Sequence, residues 1–553
     1  MTGPTRREAI AMAAAGSAAH SHQTVPDFDP ELAARYDKSA EDLLKRQNTN
    51  PNDRHRGSMP DETGLYFMGT AAGILETFAS AFLCPQSKFH KNKLMIARAG
   101  LAAAYLTREQ LPDGNAFLPI TNFNSPPDTA FIVNGVATTA WNARQYGSQE
   151  VFKMVEPFLQ KAAGALVRGG VHTPNHRWVV CSALAQLHAL FPSPEIVKRI
   201  DQWLAEGIDI DSDGQFTERS AYTYNPIVDR SFVIIAKKLN RPELLEPVRR
   251  NLNAMLYLIH ADYEVVTEFS RRQDLNQRGT IAPYWFSYAH LARTDKNGQF
   301  ATIANRFAPV AASLGALLEY PELREQGPAP AAVPGNYEKI FPKIGVARIR
   351  RGPVSATVLS GQNRFFLLRH GAAVIGAVRF ASAFFGKGQF ASETMEQRDG
   401  GFYLTQSLSG PYYQPMDPSR RITVDNYDST RRERKQSEVC RLEQSVFIKE
   451  SGNGFSVRIQ SGGTNDVPLA IEINLREGGK VDGCESLPKV TDGWILPQGF
   501  AVYRAGADAI RFGPGAAPHK YTQVRGADVK LPGPSVYITG YTPFDRTLTF
   551  EWA

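Results

Sequence analysis

Between Asp213 and Asn225 the chain reads Asp-Gly-Gln-Phe-Thr-Glu-Arg-Ser-Ala-Tyr-Thr-Tyr-Asn. A turn, the carboxylate of Glu218, the guanidinium of Arg219 and the phenols of Tyr222 and Tyr224 fall together there, with little apolar periodicity. Upstream lies Thr173-Pro174-Asn175-His176-Arg177-Trp178, and downstream Glu268-Phe269-Ser270-Arg271-Arg272-Gln273-Asp274. The three segments supply an amide, an imidazole, two phenols and a cluster of guanidiniums. Such a set suits removal of a proton beside a sugar carboxylate, which is β-elimination on a uronic-acid polysaccharide.

The chemistry explains the residue types. The C5 proton of a uronate lies next to an ionised carboxylate, which opposes any further negative charge. An amide such as Asn175, helped by a protonated His or an Arg, can donate to that carboxylate as charge spreads into it. Donors placed in this way are typically worth ~3–4 kcal/mol each where water is excluded. A base must then take the proton and an acid must protonate the leaving O4. His176 starts near ~6.5 and suits either task, whereas a tyrosine starts near ~10 and needs cations to act as phenolate. Arg219, Arg230, Arg271 and Arg272 can supply them and can grip carboxylates bidentately. The scheme calls for no cofactor and no metal.

Each of these residues also has a structural reading. Asn175 could cap a helix whose buried face starts at Trp178-Val179-Val180. Tyr222 and Tyr224 could pack, Arg271-Arg272 could be a solvated helix end, and His172 and His290 read as structural or peripheral. Glu218 reads as a residue that orients an arginine or a tyrosine. Asp209-Ile210-Asp211-Ser212-Asp213-Gly214 matches the opening of a calcium loop, but its twelfth position is Ser220 where a bidentate Glu is expected. A turn is the simpler account.

Two kinds of element must carry these residues. From about Pro30 to Tyr320, apolar residues recur at three- and four-residue steps, as in Ala99-Gly100-Leu101-Ala102-Ala103-Ala104-Tyr105-Leu106, between short Pro/Gly/Asp loops. Ten or eleven Ala-rich helices joined by short loops predict antiparallel pairs, and a long series of pairs can close into a toroid. Residues 321–336 read as a linker. Beyond it the period becomes two, as in Leu469-Ala470-Ile471-Glu472-Ile473-Asn474-Leu475, which predicts an antiparallel β-sandwich over 337–553. The expected fold is therefore an (α/α) toroid over 23–320 followed by an antiparallel β-sandwich.

Composition narrows the class. At 553 residues the chain is too long for one core, and its +7 balance, 62 basic against 55 acidic residues, is a mild excess that does not mark nucleic-acid binding. Thr5-Arg6-Arg7-Glu8-Ala9-Ile10 ahead of a small-residue, mildly apolar run predicts a twin-arginine-like export signal over 1–22, hence a periplasmic or secreted protein with no membrane span. Cys84, Cys181, Cys440 and Cys484 fit no metal spacing; unpaired thiols are expected, with Cys440–Cys484 the one pairing that export would allow.

On Asn175-His176, Asp213-Gly214 with Glu218 and Tyr222, and Ser270-Arg271-Arg272-Gln273, the chain resembles the heparinase II/III-, alginate- and chondroitin-lyase-like polysaccharide lyases, whose architecture is a helical toroid followed by a β-sandwich. The resemblance implies that Asn175, His176 and one tyrosine carry the chemistry, with Arg219, Arg271, Arg272 and Glu218 at the substrate. The four-residue interval from Glu218 favours Tyr222, but Ser220-Ala221-Tyr222-Thr223-Tyr224 departs from the family pattern and leaves Tyr224 open. It also implies that the sandwich contributes to the cleft, through His370 or through Tyr403 with Tyr412-Tyr413. Two rival readings are a glycoside hydrolase, pairing Glu218 with Asp128 or Glu268, and a non-catalytic binder of acidic glycans.

Overall fold

The computed structural model describes residues 30–552, so the export-like segment 1–22 lies outside the described residues. The chain divides into two compact units. One holds the residues up to 254 together with 270–333, and the other holds 255–269 together with 334 onward.

Twelve α-helices between Pro30 and Glu319 build the first unit among the described residues. Met68–Leu83, Pro126–Gln145, Pro174–Leu190 and Tyr224–Leu239 pack each on the next, while Lys93–Glu109, Gln149–Arg168 and Pro194–Ala205 alternate with them. Burial separates the two rings. Pro174–Leu190 buries thirteen of its seventeen residues, whereas Pro194–Ala205 buries only Ile196 and Ile200. A helix apolar on nearly every side belongs to an inner wall, and one with a narrow stripe belongs outside. The short helix Leu314–Glu319 packs on Met68–Leu83 and Pro126–Gln145, so the series closes on its own beginning as an (α/α) toroid. Proline at the first turn opens Pro126–Gln145, Pro174–Leu190 and Pro194–Ala205, where its missing N–H has no partner to lose.

The second unit is an antiparallel β-sandwich of an eight-stranded and a ten-stranded sheet. Pairing is antiparallel throughout except where Gly493–Ile495 runs parallel to Ser535–Tyr541. Alternating apolar side chains from both sheets, among them Phe366, Ile375, Ile471, Val446, Val457 and Phe550, fill one continuous core. All four cysteines are free thiols; Cys440 packs near Phe384 and Leu442 and Cys484 against the main core, so the Cys440–Cys484 bridge is not formed. No described helix is long and apolar enough to cross a membrane.

Residues 255–269 lie on the helical side of the expected boundary at 320, yet they group with the strands. Buried arginines on the sheet hold them. Arg348, wholly buried, donates to the carbonyls of Tyr257 and Ile259 at 3.3 and 3.2 Å, and Arg350 donates to that of His260. Glu264 receives Arg369 on one side and Arg476 at 2.9 Å on the other. Burial pushes the Glu264 carboxyl up, but the two guanidiniums outweigh it and hold it below its ordinary value of 4.5. This pairing therefore stabilises the unit fully above pH 4.5, and its contribution is lost as pH falls through the lower folded value. Glu264→Gln takes the carboxylate from both arginines at a largely buried site and is expected to lower stability by about 3–5 kcal/mol. It should also blunt the loss of stability below pH 4.5. Urea unfolding of both proteins at pH 7 and pH 4 checks both statements.

Candidate active site

The site grows from the start of Pro174–Leu190. Thr173 is the N-cap residue, extended at φ −135°, but its side chain makes no capping bond. Asn175 thus lies inside the first turn and is not the cap that its residue type suggested. The acceptor comes from elsewhere: Glu218 Oε1 receives the backbone N–H of Asn175 at 3.1 Å and its side-chain Nδ2 at 2.8 Å. A carboxylate at a helix N-terminus also meets the positive end of the helix dipole. Asn175 Nδ2 donates a second bond to Thr173 Oγ1 at 3.2 Å, and Asn175 Oδ1 is buried with no partner. Glu218 is 8% exposed; Arg272 Nε lies 3.7 Å from its Oε2.

His176 follows on the same turn. Its ring is buried edge-on against His172 and Phe131, with centroids 4.7 and 6.1 Å away, and its Nδ1 has no hydrogen-bond partner. Burial, then the neighbouring His172, push its pKa down to about 4. At neutral pH it is a free imidazole. His172, read from the sequence as peripheral, is exposed and stands directly on it.

The tyrosine segment is pinned by a carboxylate that sequence reasoning did not single out. Asp274, fully buried, accepts Ser220 Oγ at 2.9 Å, Ser270 Oγ at 3.0 Å and the backbone N–H of Tyr222 at 2.9 Å. Ser270 Oγ in turn accepts the N–H of Ala221, and the carbonyl of Arg219 accepts the N–H of Arg271. Arg219 sits at φ +46°, a left-handed conformation costing a non-glycine residue on the order of 1–3 kcal/mol. Burial, then Arg271, lower its pKa.

The two phenols have different surroundings. The Tyr222 ring lies on Gly279, where a Cβ would come within 2.2 Å of it. Tyr224 opens the helix Tyr224–Leu239; its oxygen accepts Gln273 Nε2 at 2.6 Å, and the Arg272 guanidinium stands 5.4 Å from its ring centre. Contacts therefore run unbroken through Asn175, Glu218, Arg272, Tyr224 and Gln273. Tyr222 is tied to Asp274 through its backbone N–H.

The remaining sequence candidates have partners of their own. His370 ends the strand Phe366–His370 in the β unit, with Nδ1 3.4 Å from the Ala509 carbonyl and Nε2 4.0 Å from Asp508. The Tyr403 ring is covered by Arg398 at 3.4 Å. His290 is buried in the helix Trp285–Thr294, where burial holds it near about 4. Asp128 closes the first turn of Pro126–Gln145 with Ser125 and accepts Asn122 Nδ2 at 2.9 Å, and Glu268 belongs to the β unit. In the calcium-like loop, Asp209 accepts Arg177 at 2.8 Å and Trp178 at 2.9 Å, and Asp211 accepts the N–H groups of Asp213 and Gln215. Those carboxylates hold a turn, with Gly214 at φ +78°.

The fold is shared with solved polysaccharide lyases. The chain is similar to the Streptomyces coelicolor A3 chondroitin AC lyase solved with chondroitin sulphate, at 12% identity and a TM-score of 0.51 over 95% of this chain and 80% of that one. It is also similar to a Paenibacillus xanthan lyase, at 10% identity and a TM-score of 0.54; that match takes in all of this chain and 58% of the other. A heparan sulfate lyase of Pedobacter heparinus aligns over 94% of this chain and 88% of its own, at 12% identity and a TM-score of 0.49. No protein-family model and no curated protein matches the chain. At these identities the likeness is one of fold, the toroid-plus-sandwich fold of polysaccharide lyases.

If Asp274 is the pin of the tyrosine segment, Asp274→Asn puts an amide donor among three groups that all donate to it. The substitution is expected to lower stability by about 2–3 kcal/mol. Hydrogen exchange at the Ala221 and Tyr222 amides should quicken at least tenfold while the core of Pro174–Leu190 keeps its protection. Equal exchange in both proteins would remove Asp274 from this role.

Proposed function

We propose that the chain is a polysaccharide lyase that cleaves a uronate-containing glycan by β-elimination, leaving an unsaturated uronate end. The observation that supports this best is the contact chain Asn175–Glu218–Arg272–Tyr224, with the neutral His176 on the same helical turn as Asn175. Arg272, exposed and only loosely held by Glu218, is the first ligand for the substrate carboxylate. Asn175 joins it as charge develops: its amide keeps one N–H on Glu218 and shifts the other from Thr173 Oγ1 to the substrate. Glu218 is the positioning residue for both.

His176 takes the C5 proton. The electrons of the C5–H bond form the C4–C5 double bond as the C4–O4 bond breaks. Tyr224 delivers its proton to O4: its oxygen already accepts from Gln273, which leaves its own hydrogen free to donate outward. Tyr222 supports the segment through its ring on Gly279. Secretion and an acidic substrate belong to the same proposal, the first resting on the arginine pair at Arg6-Arg7 and the second on Arg219, Arg271 and Arg272. A hydrolase reading gains little from Asp128 or Glu218: Asp128 Oδ2 accepts Ser125 Oγ and Asn122 Nδ2, and Glu218 Oε1 accepts the Asn175 backbone and amide.

Absorbance of the unsaturated product, followed beside a reducing-end assay over a panel of acidic polysaccharides, tests the reaction. New reducing ends without new absorbance would make the protein a hydrolase, and neither signal would leave a binder. Tyr224→Phe is expected to lower turnover by ~100-fold or more and Tyr222→Phe by much less, since a phenol that moves a proton cannot be replaced by Phe. The reverse ranking would return the role to Tyr222. Asn175→Ala should lower turnover by a similar ~100-fold.

The pH profile tests His176. A base at its ordinary value would lose activity below pH 6.5. Because burial and His172 hold His176 near about 4, kcat/KM should persist to between pH 4 and 5, and His172→Ala should move the acid limb upward. An acid limb at 6.5 that His172→Ala leaves in place would remove His176 as the base.

A further inference from the structure

Asp229 lies within the helix Tyr224–Leu239, wholly buried, and neither of its carboxylate oxygens meets a hydrogen-bond partner among the described residues. Asp274, as deeply buried, takes three donors; Asp229 takes none. Among the described residues no charged side chain offsets it either, and burial alone pushes its pKa well above the ordinary value. A bare carboxylate is among the costliest groups a core can hold, so something must neutralise it.

Its surroundings offer oxygens and withhold hydrogens. Asn225 stands four residues earlier on the same helix face. Its Nδ2 donates to Gln215 Oε1 at 2.9 Å, which leaves Oδ1 buried and bare. Asn251 repeats the pattern: Nδ2 donates to the Gly214 carbonyl at 2.7 Å, and Oδ1 is bare. Tyr284 and Tyr288 stand close enough that the Asp229 charge adds to burial in raising both phenol pKa values. Yet Tyr284 Oη donates to the Ala221 carbonyl, and Tyr288 Oη to that of Leu252 at 2.8 Å. Each phenol has spent its one hydrogen and has no donor left for Asp229. Gln215 Nε2 and Ser287 Oγ are bare too, but neither brings charge.

Oxygen ligands without nitrogen or sulfur suit a hard cation. The charge count sets its valence: one carboxylate balances one positive charge, and a divalent ion would leave net charge in the core. Among the described residues no three of His, Cys, Asp or Glu gather to hold an ion of higher charge. A proton is the rival occupant; it would neutralise Asp229 but leave the amide oxygens of Asn225 and Asn251 as bare as before. We propose that Asp229 and Asn225 hold a sodium or potassium ion inside the helical unit, with the Tyr284 and Tyr288 oxygens among its further ligands. Through Tyr284 the ion supports the Ala221 carbonyl in the tyrosine segment. The site does not depend on the lyase reading.

Thermal melting of the full chain at constant ionic strength, in sodium, potassium or tetramethylammonium chloride, tests this. At least one alkali chloride should raise the melting temperature by about 5 °C over tetramethylammonium, which is too large to enter, and the rise should saturate with concentration. Asp229→Asn keeps the shape of the side chain and removes its charge, so it should abolish that difference. If Asp229 is simply protonated, the parent melts alike in all three salts and Asp229→Asn melts at or above it, which overturns the proposal. An equal salt effect in parent and variant places the ion elsewhere and also overturns it, as does a rise with calcium chloride alone. Should Asp229→Asn fail to fold, crystals of the parent soaked in thallium(I) decide. An anomalous peak beside the Asp229 carboxylate supports the site, and its absence there ends the proposal.

Discussion

The first N–H groups of a helix need acceptors, and at Pro174–Leu190 the acceptor is a side chain forty-three residues away in sequence. Glu218 meets that need, and in doing so it joins two of the segments on which the proposed reaction rests. The same oxygen that receives the Asn175 backbone also receives its amide, and the other oxygen faces Arg272. Had Thr173 capped the helix with its own hydroxyl, Glu218 would have had no such reason to be buried there. A carboxylate held by a backbone donor is anchored more firmly than one held only by long side chains. Asn175 and Arg272 inherit that anchoring.

Asp274 does for the tyrosines what Glu218 does for the amide. A segment with little apolar periodicity has no hydrophobic face to fix it, so Ser220, Tyr222 and Ser270 turn their donors on one buried carboxylate. Gly279 adds a steric condition, since the Tyr222 ring lies where any larger residue would place its Cβ. The strain at Arg219 is tolerable because bonds on both sides of it, to Phe216 and Arg271, over-determine the backbone.

Much of this was legible in the sequence, and the parts that were not share a cause. Helical periodicity and strand alternation report which face of one element is apolar, and so they separate toroid from sandwich. They also place Asn175, His176, Glu218 and the arginines in three windows. They say nothing of what covers a polar side chain. Arg348 and Arg350 alternate with apolar neighbours as a solvated strand face would, yet both are buried under residues 255–269. Asp274 lies among arginines and glutamine, and its role depends on hydroxyls and an N–H that reach it only after folding. The ranking of the tyrosines met the same limit. The interval from Glu218 favours Tyr222, whereas the contacts to Arg272 and Gln273 belong to Tyr224.

The electrostatics of the site favour the arrival of an anion. Burial and Arg271 destabilise the charge of Arg219, and Arg272 and His172 both oppose protonation of His176. Like charges brought together in partial burial raise the energy of the empty site, and one carboxylate among them relieves it. That carboxylate would also offset the charges that hold His176 near about 4, so its basicity would rise on binding. A weak base in the empty site would become a stronger one when a substrate is there to be deprotonated. In the proposed reaction the low value would then belong to the empty site, and it would rise once a carboxylate is bound by the guanidiniums.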